Sequence, residues 1–506
     1  VLPQLVDALF KLMNDIGNEE VVQTLDNLIE RYGEQMAPYA VQIVGALAQN
    51  FLRLFEEQED DEDDDALAAM WVLQAISTMM EAVSEKPEVY VQMEAALMPL
   101  LHKMMGESAR EYFEDVNEVL SYLTYYSPAI SDELWTIFPR LHEAFHTWAF
   151  EYVNNMLVPI DNFISRATER FITGGAMVGD EATPYLAMVM SICRATLTTH
   201  AQNLPDQEQH GACKLLESLL HNCHGRIDAQ VPEVLSLALM RLEALLAAEE
   251  GRRKDGSVHS MVTLLYNVLS SALHYNAALA LQVLQHRHQA GWHAMLHGWM
   301  QHLTTCPKLR LHDLKCGVLA VASLLALPPA QAPEIISRNP LMLVQSGMTL
   351  LQAMEGKRAA DKSDEAAALG ANAAAEDGDD DDDELDDDED GGSESGGGLG
   401  AALKLYGGGL SGAMASDFFD DFDDDDELED EEMYSTPLDA IDEVVSFTDA
   451  VQAACAASPS LLAMAGLAPA QGGAAAQLSA EDSTRLHAVL AAGVAKKAQA
   501  AAETVG

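Results

Sequence analysis

Apolar residues recur at spacings of three and four along nearly all of residues 1–355, and that period admits little other than amphipathic helix. Leu2, Leu5, Leu9 and Leu12 mark one helical face. Val21, Val22, Leu25, Leu28 and Ile29 mark a second, with Asn18 as its cap and Gly33 as its end. A third helix runs from Pro38 to Phe55. The same pattern predicts helices near 66–83, 87–105, 108–126, 131–147, 148–170, 184–200, 207–223, 229–247, 257–275, 277–302, 312–327 and 333–355. Pro87, Pro128, Pro184, Pro205, Pro307 and Pro333 fall at the breaks, where a residue without an N–H is tolerated. Pro99, Pro139 and Pro159 fall inside or beside helical patterns and predict kinks or splits. No alternating β-branched run predicts a strand. Helix pairs repeating at roughly 40 residues point to an all-α HEAT or armadillo-type solenoid, an α-α superhelix in which stacked neighbours bury a face that no pair can bury alone.

Two segments break this rhythm. Nine of the ten residues from Glu56 to Asp65 are acidic. Residues 376–432 hold 26 Asp and Glu against the single Lys404, which is −25 of a formal net charge of −53. Like charges in blocks repel and cannot collapse, and Gly391–Gly400 and Gly407–Gly412 add freedom. The organisation expected is HEAT-type helices over 1–57, an acidic loop over 58–65, HEAT-type repeats over 66–358, an acidic, low-complexity, disordered segment over 359–433, and C-terminal helices with Ala/Gly-rich linkers over 434–506. In the last part Ile441, Val444, Val445, Phe447, Val451 and Ala454 form a helical face, and helices follow near 459–467 and 478–500.

The charge selects partners. Nucleic acid and anionic membrane surfaces are recognised with positive charge, so neither is a direct partner here. Basic proteins are, met by steered encounter. The candidate contact residues are Glu59, Asp60, Asp61, Glu62, Asp63, Asp64 and Asp65 in the first tract. In the second they are Asp379, Asp380, Asp381, Asp382, Asp383 and Glu384, then Phe418, Phe419 and Phe422 with Asp423, Asp424, Asp425 and Asp426. Aromatic residues set among aspartates suit a segment that folds on a partner. Cys193, Cys213, Cys223, Cys306, Cys316 and Cys455 are scattered and form no disulfide framework, which fits a reducing compartment.

No chemistry-bearing motif competes with this reading. His286, His288, His293, His297 and His302 crowd one helical stretch, and His293 with His297 is a usable metal-ligand pair, but no acidic third ligand is near in sequence. Cys213, His221, Cys223 and His224 lack paired C-x-x-C spacing. Gly407-Gly408-Gly409-Leu410-Ser411-Gly412 matches G-x-G-x-x-G, yet it sits in an acidic tract with no strand before it. Neither a catalytic residue, a metal nor a cofactor is expected, and the chain reads as a binding scaffold rather than an enzyme. Val1 in place of Met suggests a fragment with its N-terminal part missing, and no signal peptide precedes the first helix.

Several stretches in order resemble the C-terminal half of importin-beta-type nuclear transport receptors, in the branch containing importin-seven and importin-eight. They are Leu25-Asp26-Asn27-Leu28-Ile29-Glu30-Arg31-Tyr32 with Met36-Ala37-Pro38-Tyr39-Ala40-Val41, an acidic loop before Ala66-Leu67-Ala68-Ala69-Met70, and Lys214-Leu215-Leu216-Glu217 leading to Cys223-His224-Gly225-Arg226-Ile227-Asp228. Leu311-His312-Asp313-Leu314-Lys315 and Tyr434-Ser435-Thr436-Pro437-Leu438-Asp439-Ala440-Ile441-Asp442 complete the set. The resemblance implies a karyopherin that shuttles between cytoplasm and nucleus through the pore. It implies basic protein cargo such as ribosomal proteins and histones, phenylalanine-glycine nucleoporins, importin-beta as a joint carrier, and Ran-GTP, bound mainly by N-terminal repeats this chain lacks. Ala/Gly-rich insertions at 366–375, 396–415 and 465–480 depart from the family pattern. Charge alone also allows a non-shuttling acidic chaperone for histones or ribosomal proteins, and periodicity alone allows a HEAT scaffold subunit of a larger complex.

Overall fold

A computed structural model describes residues 19–57, 64–249, 257–288, 291–328, 330–333, 336–337, 340–376, 436–467 and 477–505. The chain divides into two units, with the boundary at Tyr275 and Asn276. In the first unit the helices are α1 (Glu19–Met36), α2 (Ala40–Glu57), α3 (Asp64–Glu81), α4 (Pro87–Met104), α5 (Phe113–Tyr126), α6 (Phe138–Thr147), α7 (Val153–Arg166), α8 (Thr168–Thr173), α9 (Tyr185–Arg194), α10 (His210–Asn222) and α11 (Val231–Glu249). Contacts run in two rows: α1–α3–α5–α7–α10 form one, while α2 with α4 and α6 with α9 form the other. Each helix therefore meets its neighbour and its next neighbour but one, which is the HEAT arrangement and the fold class the periodicity predicts.

The spacing of apolar residues fills the space between rows. Phe51 meets Tyr112 edge-on with ring centroids 5.3 Å apart, and Phe113 meets Trp148 at 4.7 Å. Trp135 packs on Phe163 at 4.7 Å and Tyr185 at 4.5 Å. Polar ties cross the same row. Asn162 on α7 donates to Thr124 Oγ1 at 3.0 Å on α5, and Asn154 Oδ1 accepts from the Gly211 N–H at 2.8 Å at the start of α10.

The helix expected to end at Gly33 does break there: Tyr32 is non-helical (φ −127°, ψ 20°), and a short further helical stretch runs on to Met36. A Cβ at Gly33 would stand 2.5 Å from Ala82 Cβ, so the glycine also allows close helix approach. Two expectations are corrected. The single helix expected over 148–170 is instead a 3₁₀ turn at Phe150–Tyr152, then α7 and α8, separated at Ala167 (φ −137°). Two strands are present where none was expected: β1 (Gly175–Val178) pairs antiparallel with β2 (Glu181–Pro184) through a turn with Gly179 at φ +60°. The hairpin is largely exposed, so it carries no alternating apolar pattern to betray it.

Helix α12 (Ser257–His288) is interrupted at Asn276, whose φ −162° and ψ 94° are extended. Asn276 Oδ1 accepts the Leu279 N–H at 3.1 Å, as an N-cap does, which places a break where the sequence divides 257–275 from 277–302. The histidine-rich stretch is not one helix: α13 (Trp292–Thr305) starts anew after Gly291.

The second unit continues with α14 (Leu311–Leu325), α15 (Pro340–Glu376), α16 (Glu443–Ala457), α17 (Pro459–Met464) and α18 (Ala480–Val505). Helix α14 packs on α15 and α16, and α16 packs on α18. Phe447 is fully buried, seated where a Cβ on Gly347 would lie 2.2 Å from its ring. Helix α15 reaches Glu376, past the residue 358 at which the sequence reading closes its repeats. Among the described residues no helix is long and apolar enough to cross a membrane.

Candidate functional site

Most of the acidic residues singled out in the sequence lie outside the described residues: Glu59 to Asp63, Asp379 to Glu384, Phe418, Phe419, Phe422 and Asp423 to Asp426. Asp64 and Asp65 open α3 instead of belonging to a loop. The described part of the first unit carries a different acidic feature, on α1, α3 and α5.

Asp26 on α1 sits beside Thr78 on α3, and burial raises its carboxyl above the ordinary range. Glu81 lies one turn further along α3 and is raised by burial too. On α5, Asp115, Glu118 and Tyr122 follow at spacings of three and four, one stripe of the helix. Ser77 on α3, itself buried, donates to Glu118 Oε2 at 3.1 Å, and Tyr122 Oη donates to Oε1 at 3.5 Å. Burial, with Glu114 as neighbour, pushes Asp115 to about 7. Burial, with Asp115 and Glu81 alongside, pushes Glu118 to about 8. Glu114, raised by burial, bonds Asn155 on α7 and carries the row to a fourth helix.

Tyrosines wall the row. Tyr126 lies 5.3 Å from Tyr90, 5.8 Å from Tyr122 and 4.9 Å from Tyr125, centroid to centroid. Burial raises Tyr126 to about 12 and raises Tyr90 and Tyr122 as well. Among the described residues no cation pairs with Asp26, Glu81, Asp115 or Glu118, although all four are only partly buried. Of these rings Tyr90 and Tyr122 are buried and Tyr125 already faces the Arg166 guanidinium 5.9 Å from its centroid, which leaves Tyr126 partly exposed at the edge of the acids, where a guanidinium could meet both carboxyl oxygens and a ring. Sequence reasoning passed over these residues because it followed charge density. The available signal was acid inside an apolar face, such as Asp26 between Leu25 and Leu28 or the Asp115–Glu118–Tyr122 stripe.

The histidines and cysteines weighed as ligands are placed apart. His293 and His297 stand exposed on α13. Cys213 is buried near Met261, with Sγ 3.9 Å from its sulfur, and burial pushes its thiol up. His221 Nε2 lies 2.8 Å from Ser271 Oγ, and Cys223 is buried and pushed up to about 12. His224 is exposed against the ring of Tyr275.

Segments that carried the family resemblance turn out to be joints. Tyr275 Oη accepts the Ile227 N–H at 2.9 Å and donates to Asp228 at 2.7 Å, fixing the turn that Gly225 makes at φ +72°. Arg310 and Asp313 form a buried pair at 2.9 Å at the start of α14, and Arg310 holds the carboxyl of Asp313 below its ordinary range against the opposing effect of burial. The Thr436 N–H donates to Asp439 at 2.6 Å while Thr436 Oγ1 accepts from Leu438, a reciprocal cap. Leu438 then packs on Cys316 and Leu319.

No family model matches the chain. Comparison with curated proteins does find relatives. The chain is 35% identical over 341 residues to an importin beta-like SAD2 homolog of Arabidopsis thaliana, covering 66% of this chain and 31% of that protein. It is 28% identical over 331 residues to a probable importin-7 homolog of Dictyostelium discoideum, covering 65% and 29%. It is 26% identical over 336 residues to human importin-8, covering 64% and 30%. The aligned part thus spans about three-tenths of the length of these relatives. With the stacked helices and the ordered joints, these likenesses support membership of the importin-beta family.

Proposed function

We propose that this chain is the cargo-holding part of a nuclear import receptor, and that it binds basic protein segments through acid. The observation that carries the proposal is the set of partly buried acids Asp26, Glu81, Asp115 and Glu118, which pair with no cation among the described residues. Keeping Glu81, Asp115 and Glu118 close together costs stability, whether as desolvated charge or as acids held protonated, and a cation supplied from outside would return them to the charged form. Tyr126, partly exposed beside Glu81, favours arginine over lysine, since a planar guanidinium stacks as well as pairs. The tracts Glu59–Asp65 and Asp379–Asp426 act with this row as a concentrating field for basic cargo of the ribosomal-protein and histone kind.

In this reading the whole receptor shuttles between cytoplasm and nucleus, contacts phenylalanine-glycine nucleoporins, and releases cargo when Ran-GTP binds, with importin-beta as an occasional joint carrier. Stacked repeats bend easily because each touches only its neighbours, so a competitor that prefers another curvature can expel cargo. The test is titration of the chain with an arginine-rich peptide at low and physiological salt. The triple variant E81Q/D115N/E118Q is expected to lose at least tenfold in affinity at low salt, and neutralising 376–432 is expected to flatten the salt dependence. Unchanged binding in both would sink the cargo reading. For the receptor reading, the full-length protein must bind phenylalanine-glycine repeats and surrender cargo to Ran-GTP; failure of both would leave a non-shuttling chaperone.

A further inference from the structure

The sequence draws the eye to His293 and His297, but the structure brings a different histidine pair together. His142 and His146 lie one turn apart on α6, with ring centroids 4.5 Å apart. Both reach across to α9. His142 Nε2 is 2.8 Å and His146 Nε2 3.0 Å from the same atom, Ser191 Oγ. Ser191 donates its own proton to Met188 O at 2.8 Å, so its lone pairs face the two imidazoles. We propose that His142, His146 and Ser191 form a binding site for one divalent first-row transition-metal ion of the imidazole-seeking kind, represented by Cu²⁺ and Zn²⁺.

The donor set has the required chemistry. Two imidazole nitrogens converging on one point, one helical turn apart, are an intermediate-softness pair that suits copper and zinc and not magnesium or calcium. Metal–nitrogen bonds in imidazole sites are about 2.0–2.1 Å. Arg194, on the same helix as Ser191, is held by Glu233 through a 2.7 Å bond, which offsets its repulsion of a bound cation. His146 is exposed and provides the entry path, while His142 is partly buried and fixes the depth.

Protons balance. Without metal, each ring carries its proton on Nε2 and donates it to Ser191. On loading, that proton moves to Nδ1 and the Nε2 lone pair goes to the ion, while Ser191 keeps its proton on Met188 O, so no proton is released. His142 Nδ1 is buried with no hydrogen-bond partner. It lacks the outer acceptor that strengthens structural zinc sites, which places this site below them in affinity. Coordination is completed by water.

The test is calorimetric titration of the whole chain with CuCl₂ and, separately, ZnCl₂, paired with electron paramagnetic resonance of the copper form. A single copper site is expected, tighter than zinc in line with the general divalent order, with two nitrogen donors in the resonance spectrum. H142Q/H146Q is expected to weaken it at least tenfold, and H293Q/H297Q to leave it unchanged. S191A retains both imidazoles and is expected to keep one-to-one binding at reduced affinity. Retention of the parent isotherm in H142Q/H146Q, its loss in H293Q/H297Q, or a copper spectrum without two nitrogens in the unaltered protein would each overturn the assignment.

Discussion

Glu118 gives the sharpest way to ask whether the carboxylate row is held under electrostatic load. Its carboxyl rises from the ordinary 4.5 to about 8, chiefly through burial, with Asp115 and Glu81 adding like charge. At about 1.4 kcal/mol per pH unit the displacement sets an upper bound of about 5 kcal/mol. Asp115 and Glu81 share in raising Glu118, so the cost does not belong to Glu118 alone, and removing its charge is expected to recover ~1–3 kcal/mol. The direction with pH follows from proton binding. Between pH 4.5 and about 8 the native state holds a proton that the unfolded chain has lost, so stability falls as pH rises through that window. Glu118→Gln keeps shape and the bond to Ser77 while removing the charge. It should therefore stabilise the first unit at pH 8.5, do almost nothing at pH 4, and flatten the slope between. Hydrogen exchange of peptides covering α5, run at both pH values alongside denaturant titration, reads the effect locally. An equal gain at both pH values, or none at pH 8.5, would show that the row is not electrostatically loaded and remove the reason for expecting a cationic guest.

Other outcomes follow from packing and pairing. Gly33→Ala places a methyl 2.5 Å from Ala82 and is expected to cost ~1–3 kcal/mol, measured as a lowered denaturation midpoint; a neutral result would mean that α1 and α3 are free to move apart. Phe447→Ala empties a fully buried site against Gly347 and should destabilise the second unit by ~3–5 kcal/mol, read as faster proteolysis between α15 and α16. Glu443, buried on α16, bonds Arg358 at 2.7 Å and lies 3.8 Å from Lys315; Glu443→Ala leaves the half-buried Lys315 uncompensated and should cost ~3 kcal/mol, more than Glu443→Gln.

What could be read from the sequence divides along physical lines. Helix after helix was legible because each buries one face, and burial imposes a period that composition cannot hide. The break at Asn276 was legible too, since an asparagine between two apolar runs caps the second. The second role of Gly33 was not legible, because a glycine that ends a helix and a glycine that lets two helices touch look the same until the partner, Ala82, is known. The hairpin at 175–184 was invisible because it buries little, and without burial there is no alternation to detect. Gly179 alone signals its turn, and an isolated glycine suits a helix-to-helix linker equally well.

The candidate site was less legible than the fold, for a reason that runs through the whole chain. Net charge concentrates where the acids are contiguous, in tracts that no periodicity organises. The carboxylates that the fold works against are the isolated ones, Asp26, Glu81, Asp115 and Glu118, each embedded in an apolar helix that would be more stable without it. The meaning of Glu81, Asp115 and Glu118 depends on their being adjacent across α3 and α5, which no single stretch of sequence displays. The same holds for His142 and His146: their spacing is visible, but only α9 supplies the Ser191 oxygen on which both nitrogens converge. Contiguity in sequence thus marks where charge gathers a partner, and contiguity across the stack marks where the partner is held. A basic cargo drawn in by the tracts would find its fixed contacts on the helical row, so neutralising the tracts should change chiefly the association rate and its salt dependence, while E81Q/D115N/E118Q should change chiefly the dissociation rate. Stopped-flow binding of an arginine-rich peptide separates the two, and a shared effect on dissociation alone would merge the two acidic features into one site.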